Sequence, residues 1–457
     1  MALSQNLTEG PIPGHLVRMT IPMFLGIASM IVASMSDTIF IGLLGATELA
    51  AYSFTFPLIM GLTSVSMGLG TGAASFIARA QGAGDRQRVR KLTTHALILT
   101  FLLVLLLAAV AVTWQQELFA MMGATDDILP LVVDYVTVYT IGLMFFTLPM
   151  VGSTILRSVG NARIPGYIMT TTSAIQMVLS PLLIFGLLGL PEWGFIGAAW
   201  AGVIAGLLRT AGMGWIMIRD EQLLLFTMDA FRGVWRSARD ILYIGLPSML
   251  SSLIGPFTFG VIIWLLAAHG PEVVAGFGIT SRIEMLLQMI LMSLSSSVGP
   301  FVGQNWGARK TERIYAGLKV AHRFCWFWGC CCFVLVAPFG EEIIALVNDD
   351  PLLVESAAWY LWIVPASIGV MGVGAVSASV FVALGKPLPG LVMSIARMAV
   401  VYIPLALLFN SWWGYIGVFV ATAVSNLVMG VISYLWSHQV LRTEIRRQMP
   451  DATPQVS

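Results

Sequence analysis

The chain contains itself twice. Gly82-Ala83-Gly84-Asp85-Arg86-Gln87-Arg88-Val89 returns as Gly307-Ala308-Arg309-Lys310-Thr311-Glu312-Arg313-Ile314, an offset of 225 residues. Gly160-Asn161-Ala162-Arg163-Ile164-Pro165-Gly166 returns at the same offset, one residue shorter, between Gly385 and Gly390. Trp193-Gly194-Phe195-Ile196-Gly197 returns as Trp413-Gly414-Tyr415-Ile416-Gly417, an offset of 220, and Pro22 and Pro247 are again 225 apart. Ordered matches at nearly one spacing imply two homologous halves. In a membrane protein, such halves place a binding site at their shared interface.

Membrane residence follows from composition. Hydrophobic residues make up 58% of the chain and charged residues 10%, against about 25% charged in soluble domains. The stretches Ala96 to Val112 and Trp362 to Val382 carry no charge, and a helical span needs roughly 20 mainly apolar residues. Twelve spans are expected, at 16–44, 50–78, 92–114, 130–156, 166–188, 194–218, 241–268, 272–302, 320–340, 353–384, 389–411 and 414–438. The predicted fold is an all-α integral membrane bundle of two six-helix lobes. Residues 1–218 form the first lobe, 219–240 a linker, 241–440 the second lobe and 441–457 a polar tail. An even number of spans per half gives both halves one orientation, with the pseudosymmetry axis along the membrane normal.

Charge placement sets the topology. Arg79, Arg86, Arg88, Arg90, Lys91, Arg157 and Arg163 follow even-numbered spans of the first half, and Arg309, Lys310, Arg313, Lys386, Arg442 and Arg446 follow those of the second. The opposite loops and their borders carry Asp and Glu instead, among them Glu117, Asp126, Glu192, Glu341 and Asp350. Cytoplasmic loops concentrate Lys and Arg, so both termini and the linker are expected in the cytoplasm. Met1 to Gly14 lacks a short apolar region with a small-residue cleavage site, so no cleavable signal peptide is expected. In the linker, Phe226, Phe231 and Trp235 alternate with Arg232, Arg236 and Arg239. That spacing suits an amphipathic helix on the inner membrane surface; an ordinary charged linker is the alternative.

Several chemistries are excluded or disfavoured. There is no G-x-x-x-x-G-K-[ST] phosphate loop. His15, His95, His269, His322 and His438 are scattered without metal-ligand spacing, which argues against an embedded enzyme. Cys325, Cys330, Cys331 and Cys332 lie in one predicted helix and read as small buried hydrophobes. No metal, cofactor or nucleic-acid partner is expected.

Intramembrane ionisable residues are costly and are functional candidates by default. Here they are Asp37, Arg209, Arg282, Glu284 and Arg397. Asp37 stands in Ser34-Met35-Ser36-Asp37-Thr38, within an apolar first span, with Ser34 one turn earlier. The repeat-equivalent position is Ile262, so an acid site is confined to the first half. In span 5, Gln176 and Ser180 are one turn apart on one face, and Ser180 precedes Pro181, which kinks a helix and frees a carbonyl. Depth places Ser180 level with Asp37, which predicts a hydrogen-bonded cluster of Asp37, Gln176 and Ser180. Arg282 and Glu284 are two residues apart and do not share a helix face. Arg397 is the candidate partner for Glu284, either as a structural ion pair or with Glu284 as a second cation-binding carboxylate. Pro22, Pro181 and Pro247 are candidate hinges.

These residues resemble a known family. The Asp37-Thr38 pair late in span 1, Gln81-Gly82-Ala83-Gly84-Asp85 after span 2 and Gly303-Gln304-Asn305-Trp306-Gly307-Ala308 after span 8 are similar to the multidrug and toxic compound extrusion (MATE) transporters, over about residues 12–440. The resemblance implies a V-shaped twelve-helix bundle and multidrug efflux by antiport. The cargo would be drug-like, often cationic small molecules, driven by inward protons or sodium ions. It also implies a multi-pass protein of the bacterial inner (plasma) membrane, surrounded by lipid and functional as a monomer. Within the family the chain resembles the DinF-like branch, in which the span 1 Asp is the coupling residue and a span 1 proline, here Pro22, is linked to helix bending. That branch commonly has Asn and Asp in span 5, where this chain has Gln176 and Ser180. Loss of one carboxylate favours protons over sodium, because hard cations prefer several oxygen ligands and negative charge. The NorM-like branch has an acid in span 7, where this chain has Gly255. A flippase of lipid-linked or polysaccharide precursors is the alternative cargo reading.

Overall fold

A computed structural model describes residues 6–227, 231–346 and 348–448. Among these residues all regular structure is helical. Eleven helices are long and apolar enough to span a membrane, and a bent pair supplies a twelfth. Their outer faces carry large apolar side chains, such as Leu102, Leu105, Leu106 and Val112 on α3 (Arg86–Met121). Such faces suit lipid rather than water.

The spans expected at 130–156 and 353–384 are each interrupted. α4 (Leu129–Ile141) meets α5 (Leu143–Ser158) at Gly142 with a bend of 50°. α12 (Pro351–Ile363) gives way to α13 (Pro365–Ala383) around Val364, because Pro365 cannot donate to the carbonyl one turn earlier. The two breaks fall at nearly equivalent repeat positions.

The chain divides into two compact units. The first gathers Ile21–Gln81 and Asp85–Met249; the second gathers Leu7–Thr20, Gly82–Gly84 and the chain from Leu250 onward. The division thus departs from 1–218 and 241–440 and falls inside α1 (Ile12–Leu44) and α8 (Val234–Ala267). In the first unit, glycines of α2 (Ala46–Gly82) let the start of α8 approach closely. A Cβ on Gly72 would stand 2.3 Å from the Ile241 carbonyl oxygen, and one on Gly68 would stand 2.7 Å from that of Gly245. Small residues at such crossings allow close backbone contact between membrane helices.

In the second unit, the segment before α1 is held by the Gln304-Asn305 motif at the end of α9 (Pro271–Gly307). Leu7 is fully buried. Its amide donates to Gln304 Oε1 at 3.1 Å, and its carbonyl accepts from Asn305 Nδ2 at 3.2 Å. Arg313 donates to the Gly10 carbonyl at 3.0 Å, and Lys310 to that of Thr8 at 2.9 Å. Asn305 is itself fully buried and accepts from Arg313 Nε at 3.2 Å. Asn305→Ala removes the bonds that Asn305 makes to the Leu7 carbonyl and to Arg313 Nε, leaving only Arg313 Nη2 at 3.3 Å on that carbonyl, at a cost of about 1–3 kcal/mol. The expected result is a lower Tm in detergent and faster proteolysis before residue 12; unchanged values would show that the motif does not anchor this segment.

The linker differs from expectation. Among the described residues, no single helix covers 219–240: a π-helical turn ends at Asp220 and α8 begins only at Val234. Gln222 and Gly233 take left-handed φ values of 48° and 81°, which interrupt a right-handed helix. The backbone is stitched instead to α3: Arg90 donates to the Leu224 carbonyl at 3.1 Å, and the Leu225 amide donates to Thr94 Oγ1 at 3.0 Å. The expected polar tail also begins later. α16 (Tyr415–Gln448) continues past residue 440 with Leu441 and Ile445 buried, and Glu444 pairs with Lys386 at 3.4 Å. Residues 449–457 lie outside the described residues.

Candidate functional site

The site in the first unit depends on how α1 and α6 (Arg163–Phe185) meet. Both start on the Lys/Arg-rich side, so they run parallel. Near their starts two glycines set the separation. A Cβ on Gly166 would stand 2.5 Å from the Pro22 carbonyl oxygen, and one on Gly26 would stand 3.2 Å from Met169 Cβ. This contact fixes the register, and helices rising together at about 1.5 Å per residue then bring Asp37 level with Ser180.

At that level the Asp37 carboxylate is nearly dry, 6% exposed. Ser180 Oγ donates to Oδ1 at 2.5 Å and Gln176 Nε2 donates to Oδ2 at 2.8 Å. Both oxygens are thus held by neutral donors from one face of α6. Among the described residues, no Lys, Arg or His forms an ion pair with Asp37. Isolated buried carboxylates neutralise rather than stay charged. A carboxylate so placed can hold one proton or one monovalent cation without a protein counter-charge to displace.

Two tyrosines, not anticipated from sequence, close the site. Tyr52 of α2 and Tyr135 of α4 are buried, with ring centroids 5.8 Å apart, and Tyr135 stacks on Phe195 at 4.9 Å. The Asp37 carboxylate lies within electrostatic reach of both hydroxyls. In the sequence they are two aromatic residues among many, and only packing distinguishes them. Ser34 is exposed, and its side chain interacts with Tyr52.

The remaining candidates lie elsewhere. Arg209 of α7 (Gly194–Trp215) donates to Thr172 Oγ1 at 3.0 Å, one turn before Gln176. Arg157 of α5, which the sequence placed at a span end, is inserted against Met23 Sδ at 3.2 Å and Thr154 Oγ1 at 2.8 Å. In the second unit the Glu284 carboxylate is held by Gln288 at 2.5 Å and by the Tyr360 hydroxyl. Arg397, in a π-helical stretch at Ala396–Tyr402, acts on Glu284 through charge, and Arg282 is exposed. The helices run unbroken through Pro22, Pro181 and Pro247.

Known proteins share this fold. The MatE family profile matches residues 22–182 and again 247–408, two matches whose starts are 225 apart. A Shewanella oneidensis protein named as an FAD transporter is 32% identical over 438 residues, covering 95% of this chain and 96% of the relative. The multidrug export protein MepA of Staphylococcus haemolyticus is 25% identical, with 93% of each chain covered. The crystal structure of the Vibrio cholerae MATE transporter VcmN in the bent form superposes with a TM-score of 0.91 at 27% identity, covering 95% of this chain and 98% of that one.

Proposed function

The chain belongs to the MatE family of membrane transporters, and from that premise we propose that it is a secondary antiporter coupled through Asp37. The observation that carries the reading is the dry carboxylate held by Gln176 and Ser180 without a cationic partner. A ligand shifts a conformational equilibrium only by its differential affinity for the two states. A carboxyl group that binds an ion in one state and releases it in the other supplies that difference, and Pro22 and Pro181 are the proposed points of flexure. One carboxylate and two neutral side chains form a poor sodium cage, which favours the proton. Gln176 and Ser180 orient the carboxyl group, and the chain is proposed to follow the DinF-like pattern. The Lys/Arg distribution supports cytoplasmic termini for a multi-pass protein, the bacterial plasma membrane is its proposed location, and the chain is proposed to act as a monomer.

The proposed cargo is a lipophilic, drug-like cation, supported by the relatives named as multidrug exporters. A second cargo, a flavin dinucleotide, is favoured by the relative that is 32% identical over nearly the full length. Proteoliposomes loaded with either ethidium or FAD, under an imposed proton or sodium gradient, separate these readings. Proton-driven ethidium export supports the first; FAD export without ethidium export replaces it. Sodium-driven export of either would overturn the proton assignment.

Glu284 is assigned a structural role on the strength of its bonds to Gln288 and Tyr360. Glu284→Gln is therefore expected to keep gradient-driven export, whereas Glu284→Leu strands two buried donors and lowers stability by about 1–3 kcal/mol each. Loss of export in folded Glu284→Gln would make Glu284 a second coupling carboxylate.

A further inference from the structure

On the Lys/Arg-rich side of the first unit, a cleft of about 430 Å³ opens between the first turns of α3 and the start of α8. Arg88 and Lys91 line it from α3, and Arg232 and Arg236 line it from the chain entering α8. Among the described residues that line it, Asp240 is the one carboxylate. Ser237, also on the wall, is bonded to His95 Nδ1 at 2.7 Å. Like charges gathered from distant parts of a chain repel one another and create a strong local potential. The N-terminus of α8 adds the positive end of its dipole to the same field. Lys91 Nζ lies 3.9 Å from where a Cβ on Gly233 would stand, which sets it against the chain entering α8.

Beside these cations stand large aromatic side chains with no cover. Trp235 is 84% exposed and Phe231 is 65% exposed. Both stand at the Lys/Arg-rich end of α8, a helix long and apolar enough to span a membrane, and Trp gathers at such span ends in membrane proteins. Basic pockets at such positions suit the headgroups of acidic lipids. We propose that this cleft binds the phosphate of an anionic phospholipid from the adjacent leaflet, with Arg88, Lys91, Arg232 and Arg236 around the phosphate and Trp235 and Phe231 along the glycerol and upper acyl chains. Multiple guanidinium donors match phosphate oxygens, whereas the trimethylammonium of a zwitterionic lipid would meet four like charges. A soluble phosphate shares the chemistry of the cations but gains nothing from the aromatics. The site is independent of Asp37 and of the cargo.

The full chain in detergent, titrated with phosphatidylglycerol, phosphatidylcholine or inorganic phosphate and read by native mass spectrometry, tests the proposal. Phosphatidylglycerol is expected to bind at least tenfold more tightly than phosphatidylcholine. Arg88→Gln/Arg236→Gln is expected to remove about tenfold of that preference, as each surface cation contributes a several-fold factor. Trp235→Ala is expected to weaken phosphatidylglycerol several-fold with no effect on inorganic phosphate. An unchanged lipid preference in the double variant, with its Tm unaltered, would overturn the site. Inorganic phosphate binding as tightly as the lipid, and displacing it, would overturn the lipid as occupant.

Discussion

Asp37→Asn is expected to abolish gradient-driven export while leaving insertion and folding intact. The amide has nearly the volume of the carboxyl group, so the packing of α1 on α6 is retained, and its carbonyl oxygen still accepts from one of Ser180 and Gln176. What it loses is the ability to change charge. Without an ion bound in one state and released in the other, nothing links the gradient to the transporter's conformational equilibrium. In proteoliposomes the export rate should fall to that of protein-free vesicles, while binding of cargo to the purified variant persists within a few-fold. The same protein showing wild-type gradient dependence would remove Asp37 from the mechanism. Ser180→Ala, which deletes one of the two donors, is expected to retain the gradient response at a reduced rate.

Gly166→Val is expected to damage both the fold of the first unit and its site. Its Cβ would stand 2.5 Å from the Pro22 carbonyl oxygen, 2.7 Å from that carbonyl carbon and 2.8 Å from Pro22 Cβ. These are backbone and ring atoms, which cannot rotate away as the end of a flexible side chain could. Overpacking a close contact costs about 1–3 kcal/mol and sometimes more. Here α1 must also shift against α6, which moves Asp37 out of register with Ser180. Reduced yield of monodisperse protein and a lower Tm are expected, with lost export in whatever folds. Gly61→Ala, where a Cβ meets nothing within 4 Å, serves as the comparison. It should be neutral or stabilising by up to about 1 kcal/mol from helix propensity. Equal damage from both variants would show that the Gly166–Pro22 contact is not what sets the register.

The Asp37 cluster shows how far periodicity reaches. Asp37, Gln176 and Ser180 could be brought together before any coordinates, since each is polar within an apolar run and their depths follow from counting residues along parallel spans. Tyr52 and Tyr135 could not, because burial beside a carboxylate leaves no mark on an aromatic residue's sequence neighbourhood. Opposite charge makes Arg397 the expected partner of Glu284, and it does act on the carboxylate through charge, while the hydrogen bonds come from Gln288, one turn along the same helix, and from Tyr360. The linker misled for a different reason. Its alternation of aromatic and basic residues is that of an amphipathic helix, yet left-handed backbone at Gln222 and Gly233 interrupts it, and Arg90 and Thr94 take up its backbone groups.

The membrane setting, the duplicated six-span halves and the lone acidic residue within an apolar span of the first repeat are legible in the residues alone. These are properties of composition and period, and a lipid environment leaves a helix no other way to satisfy its backbone. Tertiary structure decided where the units divide, because α1 and α8 hand over between them at points set by glycine contacts and by the anchoring of Leu7 to Gln304 and Asn305. It also decided which neutral side chains surround each buried carboxylate. Most of these contacts join distant parts of the chain, 143 positions between Asp37 and Ser180 and 297 between Leu7 and Gln304, and their energies depend on distances of a few ångströms that no local pattern encodes.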